Sequence, residues 1–275
     1  MKTYNNIEIS SIGYGTWLIE NEEAPKLVKE AINCGYKMID TASFYKNEIG
    51  VGKGIKESGI GRENVFLTSK LWNDNQGYEN TLKAFDKSLE NLDTDYLDMY
   101  LVHWPIPVGK KNCWQENMLE TWRAMEKIYE SGRVKVIGVS NFLKHHLEFL
   151  MENCQIKPMV NQIEYHIGYM QEDTTKFCFE NEILVEAWSP LARGGVFEIK
   201  EIEKIAKKYN KTAAQICLAW EMQKGIIPIP KTKSQDRMIQ NLQAEKIVLD
   251  KDDILLLDSI KDCSNSGHNP DNISF

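Results

Sequence analysis

Residues 97–103, Leu-Asp-Met-Tyr-Leu-Val-His, form a short apolar run with the length and composition of a buried β-strand. The stretch Glu116–Glu130 has the composition of a helix, and a second apolar run follows at Val136–Val139. A strand, a helix and another strand in this order are typical of a parallel sheet, because the helix carries the chain back to the start of the next strand. This unit therefore predicts an α/β fold.

The same alternation extends along the chain in both directions from this unit. The predicted strands are Ile12–Thr16, Lys37–Asp40, Val65–Ser69, Leu97–His103, Val136–Val139, Met159–Ile163, Leu184–Trp188 and Ile226–Pro230. Helical stretches follow the strands, as at Tyr78–Asn91 and Ala213–Gln223. Eight is also the number of parallel strands that closes into a barrel. We therefore predict a (β/α)8 TIM barrel, with residues 1–275 as a single domain.

An open, doubly wound sheet is the alternative fold, and it binds dinucleotides at a glycine-rich first turn. The stretch Gly13–Leu18 contains G-x-G, but a leucine stands where the third glycine belongs. The run Gly50–Gly54 is G-x-G-x-G and does not match the pattern either. We interpret both as turn and packing glycines, which favours the barrel. Tyr4, Ile7 and Ile9 flank Asn5-Asn6 and predict a short β-hairpin that closes the bottom of the barrel.

The composition excludes several classes of protein. The formal net charge of -7 argues against a nucleic-acid-binding protein, which needs a basic surface. The N-terminal residues lack the apolar core of a signal peptide, and no apolar run is long enough to span a membrane. The six cysteines are scattered, which is typical of reduced thiols, and no spacing suggests a metal site. We expect a cytoplasmic enzyme, with His145 and His146 facing solvent at the start of a helix.

Four titratable side chains lie at or just beyond the ends of three successive predicted strands. Asp40 ends the second strand, Lys70 follows the third and His103 ends the fourth, while Tyr45 lies five residues after Asp40. Each of these residues alone is more often structural than catalytic. Because the carboxyl ends of barrel strands surround the active site, the four together predict one catalytic pocket.

The chemistry of these four groups fits together, and it predicts proton donation to a carbonyl group. A tyrosine has an ordinary pKa near 10, and a nearby ammonium such as Lys70 is expected to lower it. Asp40 can hold Lys70 charged, and His103 can donate a hydrogen bond to the oxygen that gains negative charge. Tyr45 then gives its proton to the carbonyl oxygen as a hydride reaches the carbon. The hydride requires a cofactor, since no side chain supplies one.

These residues lie in a series of motifs that resembles the aldo-keto reductase family. The matching stretches, in family order, are Asp40–Glu48, Ser69–Trp72, Val102–Pro105, Gly138–Phe142, Asn161–His166, Trp188–Leu191 and Ile229–Thr232. The series runs from about Gly13 to Asn241, and the tail Gly267–Phe275 is also similar to that of the family. The resemblance implies a nicotinamide cofactor that lies extended across the top of the barrel, and a monomeric protein.

The resemblance also assigns residues to the two ends of this cofactor. Trp188 matches the aromatic residue that stacks on the nicotinamide. The groups that hold the nicotinamide carboxamide are matched by Ser140, Asn141 and Gln162. The pyrophosphate loop is matched by Ser189, Leu191 and Arg193. In total, the residues that the resemblance implies around the nicotinamide and the pyrophosphate are Thr16, Trp17, Asp40, Ser140, Asn141, Gln162, Trp188, Ser189, Leu191 and Arg193.

The residues assigned to the adenosine end of the cofactor are strongly basic. The sequence Lys231-Thr232-Lys233-Ser234 followed by Arg237 places three cations and two hydroxyls near one strand–helix junction. A 2'-phosphate prefers such donors and a helix N-terminus, so NADPH is predicted rather than NADH. A solvated basic patch is the alternative. The family pattern further assigns Gln240 and Asn241 to the adenine.

Aromatic residues are expected to form the substrate pocket. Trp17, Trp72 and Trp104 follow barrel-strand ends and should line the pocket with Phe44 and His103. The resemblance implies that such residues bind apolar or aromatic carbonyl substrates. Two other functions stay open: a Schiff-base aldolase that uses Lys70, and an NADPH-binding regulatory subunit. Trp114, Trp122 and Trp220 are predicted to pack helices instead.

Overall fold

The computed structural model describes residues 1–261 and 263–275, and its centre is a barrel of eight parallel strands. The strands are β1 (Tyr14–Gly15), β2 (Met38–Asp40), β3 (Phe66–Leu71), β4 (Leu97–Val102), β5 (Val134–Ser140), β6 (Val160–Glu164), β7 (Leu184–Trp188) and β8 (Ile226–Pro228). Each strand pairs in parallel with the next, in the order β1 to β8. The predicted (β/α)8 fold is confirmed.

The barrel is closed by backbone hydrogen bonds between its first and last strands. The N–H of Gly13 donates to the carbonyl of Pro228 at 3.0 Å, and the N–H of Gly15 donates to the carbonyl of Pro230 at 3.1 Å. Both acceptors belong to prolines, which have no N–H to contribute to the ladder. The observed β1 and β8 are therefore shorter than the predicted strands, although they occupy the predicted places.

Helices cover the outside of the barrel and separate the strands. In the described part of the chain they are α1 (Ala24–Cys34), α2 (Glu48–Ser58), α3 (Tyr78–Leu92), α4 (Trp114–Glu130), α5 (Lys144–Asn153), α6 (Glu172–Glu180), α7 (Lys200–Tyr209), α8 (Ala213–Gln223), α9 (Gln235–Gln243) and α10 (Lys251–Ser259). Trp122 and Trp220 are buried where α4 and α8 face the barrel, and Trp114 is half-buried, as predicted for packing residues. Across the described residues, no helix combines the length and apolarity needed to cross a bilayer.

The predicted N-terminal hairpin is present and lies at the amino ends of the strands. Lys2 and Glu8 form an antiparallel bridge, and Asn6 at the turn has a φ of 65°. The hydroxyl of Tyr4 donates to the carbonyl of Lys157, which lies before β6, at 2.8 Å. The hairpin therefore covers the bottom of the barrel and leaves the carboxyl ends of the strands open.

The glycines of the run Gly50–Gly54 allow close helix packing. A Cβ on Gly50 would lie 2.2 Å from the carbonyl oxygen of Asn21, and one on Gly54 would lie 2.8 Å from that of Pro25. On the neighbouring face of α2, a Cβ on Gly52 would lie 2.3 Å from the carbonyl oxygen of Leu92. These glycines let α2 pack on α1 and on the end of α3, so their role is structural.

We expect Gly52→Ala to lower the free energy of unfolding by about 1–3 kcal/mol, because the added methyl group forces two backbones apart. The loss should exceed the gain in helix propensity that alanine normally brings. Gly195→Ala is the control, since its Cβ would meet atoms only at 3.5 Å and beyond. Urea denaturation measures both variants, and a Gly52→Ala protein as stable as wild type would contradict the packing role.

Candidate active site

The four predicted catalytic residues meet at the carboxyl ends of β2, β3 and β4. Asp40 is the last residue of β2, Lys70 lies in β3, and His103 directly follows β4. Tyr45 lies in a single 3₁₀ turn, Ser43–Tyr45, that follows β2. The structure thus brings together side chains that the sequence separates by up to 63 positions.

Lys70 is the centre of this cluster, and its side chain is fully buried. Its Nζ donates to Asp40 Oδ1 at 2.6 Å, to the carbonyl of Thr41 at 2.9 Å and to Tyr45 Oη at 3.2 Å. An ammonium has three hydrogens, so each is used. Lys70 is therefore fixed between the Asp40 carboxylate and the Tyr45 hydroxyl.

The loop that carries Tyr45 is held by its neighbours. Ser43 Oγ donates to the carbonyl of Lys70 at 2.9 Å. The amide nitrogen of Asn47 donates to the carbonyls of Thr16 and Ile19, each at 2.9 Å, and its oxygen accepts from the hydroxyl of Thr41 at 2.8 Å. These bonds tie the loop to β1 and β3, and so fix the hydroxyl of Tyr45 beside Lys70.

Burial determines the protonation states in the pocket. Burial raises the pKa of Tyr45, and the Lys70 ammonium acts in the opposite direction without reversing this. The expectation of a lowered tyrosine pKa is therefore wrong, because the loss of solvation outweighs the nearby charge. Burial and the charge of Lys70 hold the pKa of His103 well below its usual range. At neutral pH the pocket presents a protonated Tyr45 and an uncharged His103.

The residues on β5 to β7 that were predicted to hold the nicotinamide form one hydrogen-bonded set. Trp188 Nε1 donates to Asn141 Oδ1 at 2.7 Å, and Asn141 Nδ2 donates to the carbonyl of His103 at 2.9 Å. Ser140 Oγ donates to the carbonyl of Gln162 at 2.8 Å. Asn141 has a φ of 64°, a left-handed conformation that places its side chain beside His103 instead of along the strand. These residues lie together beside the catalytic cluster.

Gln162 links this set directly to the cluster, and it also bonds a residue that sequence reasoning missed. Its Nε2 donates to Asp40 Oδ2 and to Glu186 Oε2, both at 2.8 Å. Glu186 is fully buried on β7, and burial raises the pKa of its carboxyl to about 8. An acidic residue in the middle of an apolar strand, Leu-Val-Glu-Ala-Trp, was the available signal.

The loop after β7 turns sharply. Ser189 and Arg193 have φ values of 52° and 54°, and the N–H of Ala192 donates to the carbonyl of Ser189 at 2.8 Å. Leu191 is half-buried and Arg193 is exposed. The predicted pyrophosphate-binding residues thus occupy one compact loop at the top of the barrel. Just after β1, Thr16 Oγ1 donates to the carbonyl of Asp40 at 2.9 Å.

The basic residues predicted for the adenosine end lie at the start of α9. Ser234 caps this helix, where its side chain accepts from the N–H of Arg237. Lys231 and Arg237 are exposed, whereas Lys233 forms an ion pair with Glu23. Gln240 is exposed, and Thr232 and Asn241 are buried.

Aromatic rings form a wall beside Tyr45 and His103. The rings of Phe44 and Trp72 stack at 3.6 Å, Trp17 lies 4.8 Å from the ring of Tyr45, and Trp72 lies 5.2 Å from His103 between ring centroids. Trp104, which is almost fully buried, completes the wall.

The C-terminal tail adds two residues to this wall that were not predicted. The ring of Phe275 lies 6.1 Å from Trp72 and 5.4 Å from Trp104, and His268 lies 5.9 Å from Trp104. The tail therefore folds back over the pocket.

The tail is anchored by two histidines at the start of α5. Asp271 Oδ1 lies 2.8 Å from His145 Nε2 and 3.0 Å from His146 Nε2. His145 is exposed, but His146 is fully buried, so its expected exposure is wrong. Its Nδ1 accepts from the N–H of Leu143 at 3.1 Å, and burial lowers its pKa to about 4. Because Nδ1 accepts, Nε2 of the neutral ring carries the proton and lies close to the Asp271 carboxylate, whose hydrogen bond is made with His145.

The chain is similar in sequence and fold to known proteins. Residues 11–262 match the model of the Aldo/keto reductase family. The chain is 46% identical over 276 residues to the glyoxal reductase of Bacillus subtilis (strain 168), covering 100% of this chain and 97% of that protein. Among solved structures, it resembles MGS-M4, an aldo-keto reductase from a Medee basin deep-sea metagenome library, with a TM-score of 0.95, 42% identity and 100% of both chains covered. It also resembles an aspartate-to-alanine mutant of Gox0644 in complex with NADPH, with a TM-score of 0.92, 40% identity and 100% and 98% coverage.

Proposed function

This chain belongs to the aldo/keto reductase family, and from that premise we propose that it uses NADPH to reduce small carbonyl compounds, including glyoxal-like dicarbonyls, to alcohols. It is an oxidoreductase that acts on carbonyl groups. The observation that carries the proposal is the buried Lys70 ammonium, which donates at once to the Asp40 carboxylate and to the hydroxyl of Tyr45. An aromatic wall surrounds that hydroxyl.

The residues present fit NADPH by the chemistry of their donors. Lys231, Ser234 and Arg237 offer cations, a hydroxyl and a helix N-terminus to a phosphate group. At the other end, Trp188 offers a half-buried ring face, and Gln162 and Asn141 offer amides to a carboxamide. The solved Gox0644 relative was crystallised with NADPH, which supports the same cofactor here. When bound, NADPH supplies the hydride.

The protein's own residues then control the proton. Tyr45 is protonated at neutral pH and gives its proton to the carbonyl oxygen, which becomes a far stronger base than tyrosinate once the carbon is reduced. The Lys70 ammonium stabilises the tyrosinate that forms, while Asp40 keeps Lys70 charged and in place. Neutral His103 donates a hydrogen bond that orients the carbonyl oxygen. The aromatic wall excludes water from the proton transfer.

The proposed substrate class follows from the pocket and from one relative. The wall of Trp17, Phe44, Trp72 and Trp104 is apolar, so it favours small carbonyl compounds with little charge. The Bacillus subtilis relative is named a glyoxal reductase, which supports a dicarbonyl substrate.

Two other functions are less well supported. A Schiff-base lysine must lose its proton. Burial acts to lower the pKa of Lys70, but Asp40 and Tyr45 together outweigh burial, so the pKa is raised and Lys70 stays an ammonium. A regulatory subunit that binds NADPH has no need of the complete Asp40, Tyr45, Lys70 and His103 cluster.

Loss of NADPH absorbance with glyoxal, methylglyoxal and an aromatic aldehyde tests the proposal. We expect saturable turnover, with a lower KM for the dicarbonyls. Tight NADPH binding without turnover of any of these compounds would favour the regulatory function instead.

Replacing Arg237 by Ala should weaken NADPH binding by about 10- to 100-fold, since one charge-assisted contact to the 2'-phosphate is lost. NADH lacks that phosphate, so its Kd should change by less than about twofold. Titration of protein fluorescence with each cofactor measures both effects. Arg123→Ala is the control, because Arg123 is exposed on α4 and pairs with Glu120. Equal losses for both cofactors would contradict the assignment.

A further inference from the structure

Glu186 is a buried acid that the proposed mechanism does not use. Its side chain is completely inaccessible on β7, inside the barrel. Oε2 accepts from Gln162 Nε2 at 2.8 Å, whereas Oε1 is buried without a hydrogen-bond partner among residues 1–261 and 263–275. An isolated carboxylate in such a place is costly, and a native protein rarely retains one without a function.

Glu186 ends a chain of hydrogen bonds that begins at the catalytic lysine. Lys70 Nζ donates to Asp40 Oδ1 at 2.6 Å, and Gln162 Nε2 donates to Asp40 Oδ2 at 2.8 Å and to Glu186 Oε2 at 2.8 Å. A side-chain amide has two N–H groups, so the two carboxyls use both of them. They also fix the orientation of the amide, because a flip would turn its oxygen toward the Asp40 carboxylate. Gln162 Oε1 is thereby left as an acceptor.

We propose that Glu186 is a positioning residue that acts as a neutral carboxylic acid. Together with Asp40, it fixes the amide of Gln162. Because it carries no charge, it does not compete with Asp40 and Tyr45 for the Lys70 ammonium. The inference rests on the proposed function. The oxygen of Gln162 is then presented to the nicotinamide carboxamide, an N–H donor. The neutral state of Glu186 also matters electrostatically, because its ionisation would place a second negative charge beside Asp40.

The surroundings of Glu186 favour its neutral form. On β6 it faces the uncharged Gln162, and on β8 it pairs with apolar Ile227. Across the barrel, the charged groups that act on it are Asp40 on β2, which disfavours its ionisation, and Lys70 on β3, which favours it. Burial is the largest effect, and it raises the pKa of Glu186 to about 8. The carboxyl is therefore protonated at neutral pH and ionises under mildly alkaline conditions.

The first test uses the cofactor-free protein and measures unfolding by urea between pH 5 and pH 9. Between the ordinary glutamate pKa of 4.5 and about 8, the folded protein holds a proton that the unfolded chain releases. Wild type should therefore lose stability relative to Glu186→Gln as pH rises through this window. The ratio of their unfolding constants should change by up to about tenfold per pH unit.

Glu164→Gln is the matched control for this experiment. Glu164 is also a buried glutamate, on β6, but it accepts from the N–H and hydroxyl of Ser266, and these bonds help to lower its pKa. Its replacement should give no growing difference above pH 5. Parallel stability curves for wild type and Glu186→Gln would overturn the neutral state of Glu186.

The second test measures the pH profile of NADPH-dependent reduction and the Kd for NADPH. Ionisation of Glu186 should lower kcat of wild type about tenfold, because a second negative charge acting on Lys70 weakens its stabilisation of tyrosinate. Glu186→Gln keeps an acceptor for Gln162 and should remove this alkaline loss. Glu186→Leu removes the acceptor and should weaken NADPH binding about tenfold. Glu186→Gln, which keeps the acceptor, should bind NADPH as wild type does.

The outcomes separate the two proposals. No turnover by wild type would contradict the reductase function, while the stability test of Glu186 would still stand. Turnover with the same alkaline loss in wild type and Glu186→Gln, or equal NADPH affinity in Glu186→Leu, would contradict the positioning role.

Discussion

Tyr45→Phe should lower kcat by about 10²- to 10⁴-fold, the usual contribution of a positioned general acid. The phenyl ring keeps its contact with Trp17, so the pocket should retain its shape. The Kd for NADPH should change by less than about twofold. Stopped-flow measurement of a single turnover checks the chemical step directly, and fluorescence titration checks binding.

Tyr209→Phe is the control for loss of a tyrosine hydroxyl. Tyr209 ends α7 on the outside of the barrel, where its oxygen accepts from the N–H of Asp250 at 2.8 Å. The kcat of Tyr209→Phe should equal that of wild type. A Tyr45→Phe enzyme that retains more than about a tenth of wild-type kcat would show that water or another group delivers the proton.

Lys70→Met should affect both activity and stability. Without the ammonium, tyrosinate is no longer stabilised, and kcat should fall by about 10²-fold or more. The carboxylate of Asp40 is left buried without its partner, and breaking a buried ion pair in this way costs about 3–5 kcal/mol. Kinetics and urea denaturation measure the two effects separately.

The double variant Asp40→Asn with Lys70→Met separates charge balance from catalysis. Removing both charges should restore most of the stability, because no unpaired charge remains in the interior. Activity should stay low, since the ammonium beside Tyr45 is still absent. If activity returned together with stability, Lys70 would have only a structural role.

The fold could be predicted because its signal is repeated eight times. Each buried strand is a short apolar run, and errors were confined to strand ends, as at β1 and β8, where prolines and the closing geometry shorten the ladder. The convergence of Asp40, Lys70 and His103 followed from the rule that the carboxyl ends of barrel strands share one face.

Other parts of the site depend on distances that a sequence does not contain. The pKa of Tyr45 follows from a balance between burial and the charge of Lys70, and only the degree of burial shows which prevails. Phe275 lies against Trp72 in a tail whose Asp271 lies beside His145 and His146, a contact between segments more than a hundred positions apart. Glu186 could be noticed as a charged residue in a strand, but its partner Gln162 lies on another strand.

The closure of the barrel has a consequence for the order of folding. The closing bonds join Gly13 to Pro228 and Gly15 to Pro230. All the other strand pairs join strands that are neighbours along the chain. Forming this seam requires the longest loop closure in the barrel, so its entropic cost is not recovered until the other strands are assembled. The hydrogen bonds of Gly13 and Gly15 should therefore form last during refolding, and in the native protein their amides should be among the first strand amides to exchange with deuterated water.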